Sequence, residues 1–443
     1  MTGRRSVVVC AVAALLWSPA VAHAVCPGTG CFAMDPAADR IQLRSSCAGQ
    51  SNCCETSEAL TNWIGTCRVA NPPRLLVDVG PGAFGQIKCG WAFLPFPPNA
   101  PPAFTDVTFR GSGTEQTFFK VPAGCTSCAP IEVGQGCDDL EFLNLTVDGA
   151  DTKYGVLWRV DAGDSTWTNV HVLGNELGWY EFTFAPSSFC NPAVNFPVHV
   201  WFDSKIETRG VNVGQGVSAY QANCGESRLF NTELLAAVSS SGVNLTEGVN
   251  ALSIGADPQL GDLTRKGRVL LAGSVIRMIA PAWTGGTYDQ IIAGVRVYPN
   301  GELAMNDGVI NVTVSAANPS TIYDLKVDAA SGSLPAGRAH TAGAGFIVTR
   351  TGTPDVGAAS WRVAGTNATA ESPFLWSAGT DLPRPRAGSA QTVQTLTGAD
   401  LFVETDCGTT TNCTGGSQPH LLISNASCLS GWFNSTTKAC RAP

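Results

Sequence analysis

The sequence predicts an all-β solenoid, a chain of short strands wound into stacked coils and closed at both ends by cysteine-rich caps. The reading rests on three features. Charged residues make up only 14% of the chain, against 48 glycines and abundant Thr, Val, Ser and Asn. Such a composition suits short strands and tight turns rather than helices. A degenerate repeat of Gly-Val, an apolar run, a polar turn and a second apolar run starts at Tyr154, Gln215, Glu247 and Ala293. A further copy from Phe196 carries Pro-Val instead. No copy can bury its apolar face alone, so the copies must stack. Finally, the cysteines cluster towards the two ends, and none lies between Ser227 and Asp406.

The first 24 residues read as an export signal. Arg4 and Arg5 form the basic segment, Val7 to Trp17 the apolar one, and Ala22-His23-Ala24 the small-x-small cleavage site. The apolar run is too short to span a bilayer. Its removal takes away Cys10, leaving sixteen of the 17 cysteines, and moves the formal net charge from −8 to −10. An even cysteine count in an exported chain reads as disulfides. The expected localisation is therefore secreted: extracellular, or periplasmic or outer-surface in a bacterium. No membrane span is expected, and the protein is expected to be a monomer. The acidic balance argues against nucleic acid as a partner, because phosphate binding needs a basic face.

Residues 25–55 form the expected N-terminal cap. Thr56 to Cys67 reads as a helix, with Thr56 or Ser57 as its cap and Leu60, Trp63 and Ile64 on one face. Leu75 to Val79 is a continuous apolar strand followed by Gly80-Pro81-Gly82, and Phe104 to Gly111 is an alternating strand. Leu140 to Gly149 reads as a further coil, with Asn144 at a turn. The solenoid is expected over 56–400. A second cap, over 401–443, holds Cys407, Cys413, Cys428 and Cys440 and shields the last coil.

The succession of that helix, LLVDVGPGAFGQI and FTDVTFRGSGTEQTFF resembles the opening of pectin-lyase-like proteins, and within them the pectin methylesterase branch. The resemblance implies a single-stranded right-handed parallel β-helix. It implies polysaccharide lyases, hydrolases, esterases or epimerases, and also silent adhesins, as the functions to weigh. Fold alone does not choose among them. Of the methylesterase motifs, the Gln-Asp pair and a G-x-x-D-F-I-F-G-like strand are missing from this sequence. Asn231-Thr232-Glu233 matches a polygalacturonase motif only faintly, without its partners.

The sharpest constellation is Asp203-x-Lys205-x-Glu207-x-Arg209, whose spacing of two puts four charges on one strand face. Setting the Gly-Val copies over each other predicts columns: Asp161 over Asp203, Glu207 over Glu226, and Arg209 over Arg228, with Arg268 next and Lys266 beside Glu226. Asp161, Asp203, Glu207 and Glu226 are the candidate catalytic residues, since glycosidic-bond or uronate chemistry uses paired carboxylates. Lys205, Arg209, Arg228 and Arg268 are the candidate binders of sugar carboxylates. Trp179 and Tyr180 are placed in a loop as an exposed pair for stacking on sugar rings. The same columns would equally make a salt-bridge ladder on a wetted face.

Other motifs carry less. Gly80-x-Gly82-x-x-Gly85 lacks the helix that a dinucleotide site needs. Cys125-Thr-Ser-Cys128 reads as a loop disulfide rather than a metal or redox motif. Asp138, Asp139, Asp148 and Asp151 offer oxygen ligands without a calcium-loop pattern. No cofactor is therefore expected, calcium being conceivable but unsupported. His171 and His199 read as satisfied strand histidines. The resulting expectation is a secreted or cell-surface protein binding acidic extracellular polysaccharide along a charged face. The alternatives are a divergent polysaccharide lyase or hydrolase acting on uronic-acid polymers, or a structural protein or adhesin.

Overall fold

The computed structural model describes residues 30–68, 74–90, 102–122, 124–182, 196–211, 216–238, 249–255, 266–280, 291–315, 321–327 and 337–351, followed by short strands between 361 and 441. The export signal, the start of the N-terminal cap, most of the proline-rich loop and the 366–391 stretch lie outside the described residues.

The chain passes alternately through a narrow sheet and a broad one. Tyr154–Arg159 of the narrow sheet is followed by Ser165–Gly174 of the broad sheet, and Leu177–Phe182 by Val198–Phe202 and Lys205–Thr208. Next come Val217–Ala222 with Gly225–Phe230 and Glu233–Ala237, Val249–Ile254 with Gly267–Ala280, and Ile291–Val297 with Glu302–Ser315. Each strand pairs in parallel with its counterpart one coil later. Such a pairing pattern is a parallel β-helix, the predicted fold class.

Antiparallel pairs occur at the ends. Cys31–Phe32 pairs with Cys53–Cys54, Arg338–Thr351 with Val393–Thr397, and Trp432–Asn434 with Ala439–Arg441. Among the described residues the N-terminal staple includes Cys31–Cys54 and Cys47–Cys53, and loop bridges join Cys89 to Cys137 and Cys125 to Cys128. Several disulfides fit an oxidising compartment. Among the described residues no helix is long and apolar enough to cross a membrane. The side chains of the C-terminal cysteines lie outside the described residues. The helix Ser57–Cys67 forms as predicted: the Thr56 hydroxyl accepts from Ala59 N at 3.1 Å, and Leu60, Trp63 and Ile64 are buried.

Six successive broad-sheet passes are each bent at one residue with left-handed backbone, and these residues stack. Asn144, Asn169, Asp203, Asn231, Gly273 and Asp307 all have φ between +49° and +62°, and the flanking registers put them in successive coils. Asn169 Nδ2 donates to Asn144 Oδ1 at 2.9 Å, and Asn231 Nδ2 to Asp203 Oδ1 at 3.3 Å. Asn, Asp and Gly tolerate this conformation, which explains the residue types. Just inside the bend, Ser204, Thr232 and Ser274 are buried. The Ser204 hydroxyl accepts from Val170 N, and the Ser274 hydroxyl from Thr232 N. The bend thus leaves no backbone donor wasted at these steps.

The core is a column of rings. Phe109, Phe142, Trp167 and Trp201 stack at 5.2, 4.1 and 4.7 Å between successive centroids, and the register continues it through Leu229, Leu271 and Met305. Opposite it, the narrow sheet supplies Trp158, Trp179 and Tyr220, all buried. Two glycines of the narrow sheet let neighbouring strands and aliphatic side chains approach closely. A Cβ on Gly155 would lie 2.6 Å from Val172 Cγ1, and one on Gly178 the same distance from Ile206 Cγ2.

The predicted repeat needs two corrections. Val156 aligns with Trp179 and Tyr220, and through Leu252 with Val295. Val217 and Val249 align with each other but lie three residues before Tyr220 and Leu252. The Gly-Val copies therefore occupy two different heights of the strand. In addition, the coil assigned from Phe196 begins at Leu177, and Val198–Phe202 is its broad-sheet half.

Candidate functional site

The outward face of the broad sheet carries charged residues in columns set by the register. Before the bend runs Val198, Glu226, Arg268, Glu302 and Arg338. The signs alternate, and the ions pair: Arg268 lies 3.2 Å from Glu226 and 2.9 Å from Glu302, and Lys266 lies 3.3 Å from Glu302. Arg228 reaches sideways to Glu226 at 2.5 Å. After the bend, Glu207 is paired with Lys205 and lies 3.2 Å from His171, while Arg277 lies 3.2 Å from Glu233. Burial alone would push the Glu207 carboxyl up, but hydrogen bonds from His171 and Lys205 outweigh it and hold it at about 2.

Between these columns, beside the bend, Phe202 and Phe230 stack at 5.1 Å with a 13° interplanar angle. Phe202 is 38% exposed and Phe230 is half-buried. Sequence reasoning missed the pair. Both rings precede the bend residue, Phe202-Asp203 and Phe230-Asn231, and that repeated dipeptide was the available signal.

The predicted columns do not assemble. Asp161 follows the narrow-sheet strand Tyr154–Arg159, so it cannot stack on Asp203, which sits in the bend of the broad sheet. Its carboxylate is buried 2.6 Å from Arg159 Nε. Burial raises its pKa, with Arg159 pulling the other way. Glu207 stands opposite Leu235 rather than Glu226, and Arg228 opposite Val200 and Leu270 rather than Arg209 and Arg268. Arg209 is exposed, with Asp151 at 4.0 Å. Lys266 pairs with Glu302 instead of Glu226. The alternation over Lys205–Thr208 does hold, with Ile206 and Thr208 inward. The left-handed residue at Asp203 breaks the phase just before it.

Trp179 is not an exposed loop residue. It lies in the narrow-sheet strand at 0% exposure, stacked on Tyr220 and Trp158. Tyr180 faces the other way, half-buried and stacked on Tyr154 at 5.5 Å.

A second constellation lies inside the solenoid. His199 Nδ1 and Ser165 Oγ are 2.8 Å apart, and Ser165 Oγ also accepts from Trp167 Nε1 at 2.8 Å. His199 Nε2 is 3.7 Å from Glu181 Oε1. Glu181 accepts from Trp179 Nε1 and from the backbone amides of Asn223 and Cys224 at 2.9 and 2.8 Å. Ser165, Glu181 and His199 are all buried, and burial drives the His199 pKa down to about 3. A neutral, enclosed imidazole is a structural partner for Ser165, not a base open to substrate. Among the described residues no group of three or more His, Cys, Asp or Glu could hold a metal ion.

No protein-family model and no curated protein sequence matches this chain. Solved structures similar to it include a pectin methylesterase variant in complex with a hexasaccharide, at TM-score 0.40 and 10% identity, covering 69% of this chain and 89% of that one. Escherichia coli YbhC has TM-score 0.37 and 16% identity, covering 65% and 74%. A rice weevil pectin methyl esterase has TM-score 0.36 and 12% identity, covering 70% and 85%. The likeness names no activity. The fold assignment stands on the strand pairings above.

Proposed function

We propose that this protein binds extracellular polysaccharide on the outward face of its broad sheet, around Phe202 and Phe230. The Phe202–Phe230 stack, with Phe202 exposed and Phe230 half-buried, carries the reading. Two parallel rings about one coil apart offer an apolar strip to the faces of sugar rings. Arg228 and the Glu226–Arg268–Glu302 column flank the strip on one side, and Lys205 with Glu207 on the other. These groups supply hydrogen-bond donors and acceptors to hydroxyls, and Arg228 a fork for a uronate carboxylate. Turnover is not part of the reading, because the four carboxylates on which it depended belong to different columns and sheets.

Binding of pectate, alginate and neutral glucans is the test, read by affinity electrophoresis. Replacing Phe202 and Phe230 together with Ala is expected to weaken retention roughly tenfold at unchanged stability. Arg228→Gln should weaken only the acidic polymers. Unchanged retention in the double variant refutes the proposal.

A further inference from the structure

We infer that the N-terminal end of the solenoid holds a separate pocket for a short, uncharged saccharide. A cavity of about 1030 Å³ opens between the helix Ser57–Cys67 and the turn joining the strands Gly82–Phe84 and Ile87–Cys89. Its size matches a site for a ligand of a few sugar rings.

Glu58, Asn62 and Thr66 line one wall. Spaced by four, they share the helix face that is exposed while Leu60, Trp63 and Ile64 are buried. Phe84, Gln86 and Lys88 line the opposite wall, with Pro102 and Pro122 at the sides. Neither the Glu58 carboxylate nor the Asn62 amide has a side-chain partner among the described residues, so both are available to a ligand. Gln86 spends its amide hydrogens on Ala129 O and Glu132 Oε1, which leaves its oxygen to accept. The cavity thus combines apolar ring and proline surface with convergent acceptors and donors, as recognition of a polyhydroxylated ring requires.

Charge decides the ligand class. Lys88 is already held by Glu132 at 3.4 Å, while Glu55 and Glu58 also line the cavity. The excess negative charge repels uronates and phosphates. The pocket therefore differs from the broad-sheet face, whose exposed arginines accept an acidic polymer.

Titration of the full-length protein with neutral trisaccharides of glucose, galactose and mannose, followed by calorimetry and saturation-transfer NMR, tests the assignment. At least one is expected to bind, with galacturonate trimers excluded. Asn62→Ala should weaken binding roughly five- to tenfold, and Thr66→Trp, at an exposed helix position, should abolish it by filling the cavity. The double Ala variant of Phe202 and Phe230 should leave it unchanged, which separates this site from the proposed polymer face. If no neutral trisaccharide binds at millimolar concentration, or if binding survives Thr66→Trp in a variant with wild-type melting temperature, the assignment is overturned.

Discussion

The two sheets handle their outward side chains in opposite ways. On the narrow sheet, Leu157, Gln221, Ser253 and Arg296 alternate away from the core yet are buried. On the broad sheet, Phe202, Arg228 and Arg277 at comparable positions are exposed. A polar group on the narrow sheet is therefore a desolvated group that must find a partner, whereas Arg228 and Arg277 on the broad sheet stay in water. Stability should accordingly be concentrated in the interior, and binding in the broad sheet's wetted face.

The largest effect that would break this division is in the ring column. Trp167→Ala removes a buried side chain stacked on both Phe142 and Trp201 and is expected to cost about 3–5 kcal/mol by denaturant unfolding. A loss as small as that of an outer-face variant would show that the interior is not the source of stability.

Acid separates the regions next. The folded His199 pKa of about 3 lies below its ordinary 6.5, so the unfolded chain binds a proton that the folded one refuses. Stability should fall as pH drops from about 6.5 towards 3, by several kcal/mol at most. Glu207, at about 2 against an ordinary 4.5, adds a loss of at most about 3 kcal/mol confined to the window from 4.5 down to 2. Melting curves of His199→Asn should lose the dependence between pH 6.5 and 4.5 and keep the lower one; retention of both would remove His199 as the cause.

Smaller again is the bend ladder. Asn231→Ala should cost about 1–2 kcal/mol, because alanine is strained at φ +50° and the bond to Asp203 is lost, while Asn231→Gly should cost less. Smallest is Arg268→Ala on the wetted face, within about 1 kcal/mol despite its two carboxylate partners.

Much of the architecture was legible in the residues. Glycine-punctuated apolar runs announced the stacked strands, the face of Leu60, Trp63 and Ile64 announced the helix, and Asn144 marked a turn that proved to be one rung of a ladder. The register was not legible. Gly-Val recurs at two strand heights because Gly155 clears space for core side chains while Gly216 precedes the strand starting at Val217, and sequence similarity does not separate these roles. The coil starting at Leu177 carries Gly178-Trp179 where the pattern expected Gly-Val. The candidate carboxylates inherited that error, since one residue of slip reverses a side chain and a few move it to another column. His199 was read as a satisfied strand histidine, but its partners Ser165 and Glu181 escaped notice because polar residues pointing inward look, in sequence, like polar residues pointing out.

The buried Ser165–His199–Glu181 group has a consequence for assembly order. Stacked coils with interchangeable aliphatic interiors could join out of sequence and still hide their apolar surface. A stack that skipped the coil from Leu177 would set Ser227 beside Ser165, and the amides of Asn223 and Cys224 would lose the Glu181 carboxylate that accepts them. Each stranded buried donor costs about 1–3 kcal/mol. The interior hydrogen bonds therefore work as an address, readable only when the coils arrive in their own order.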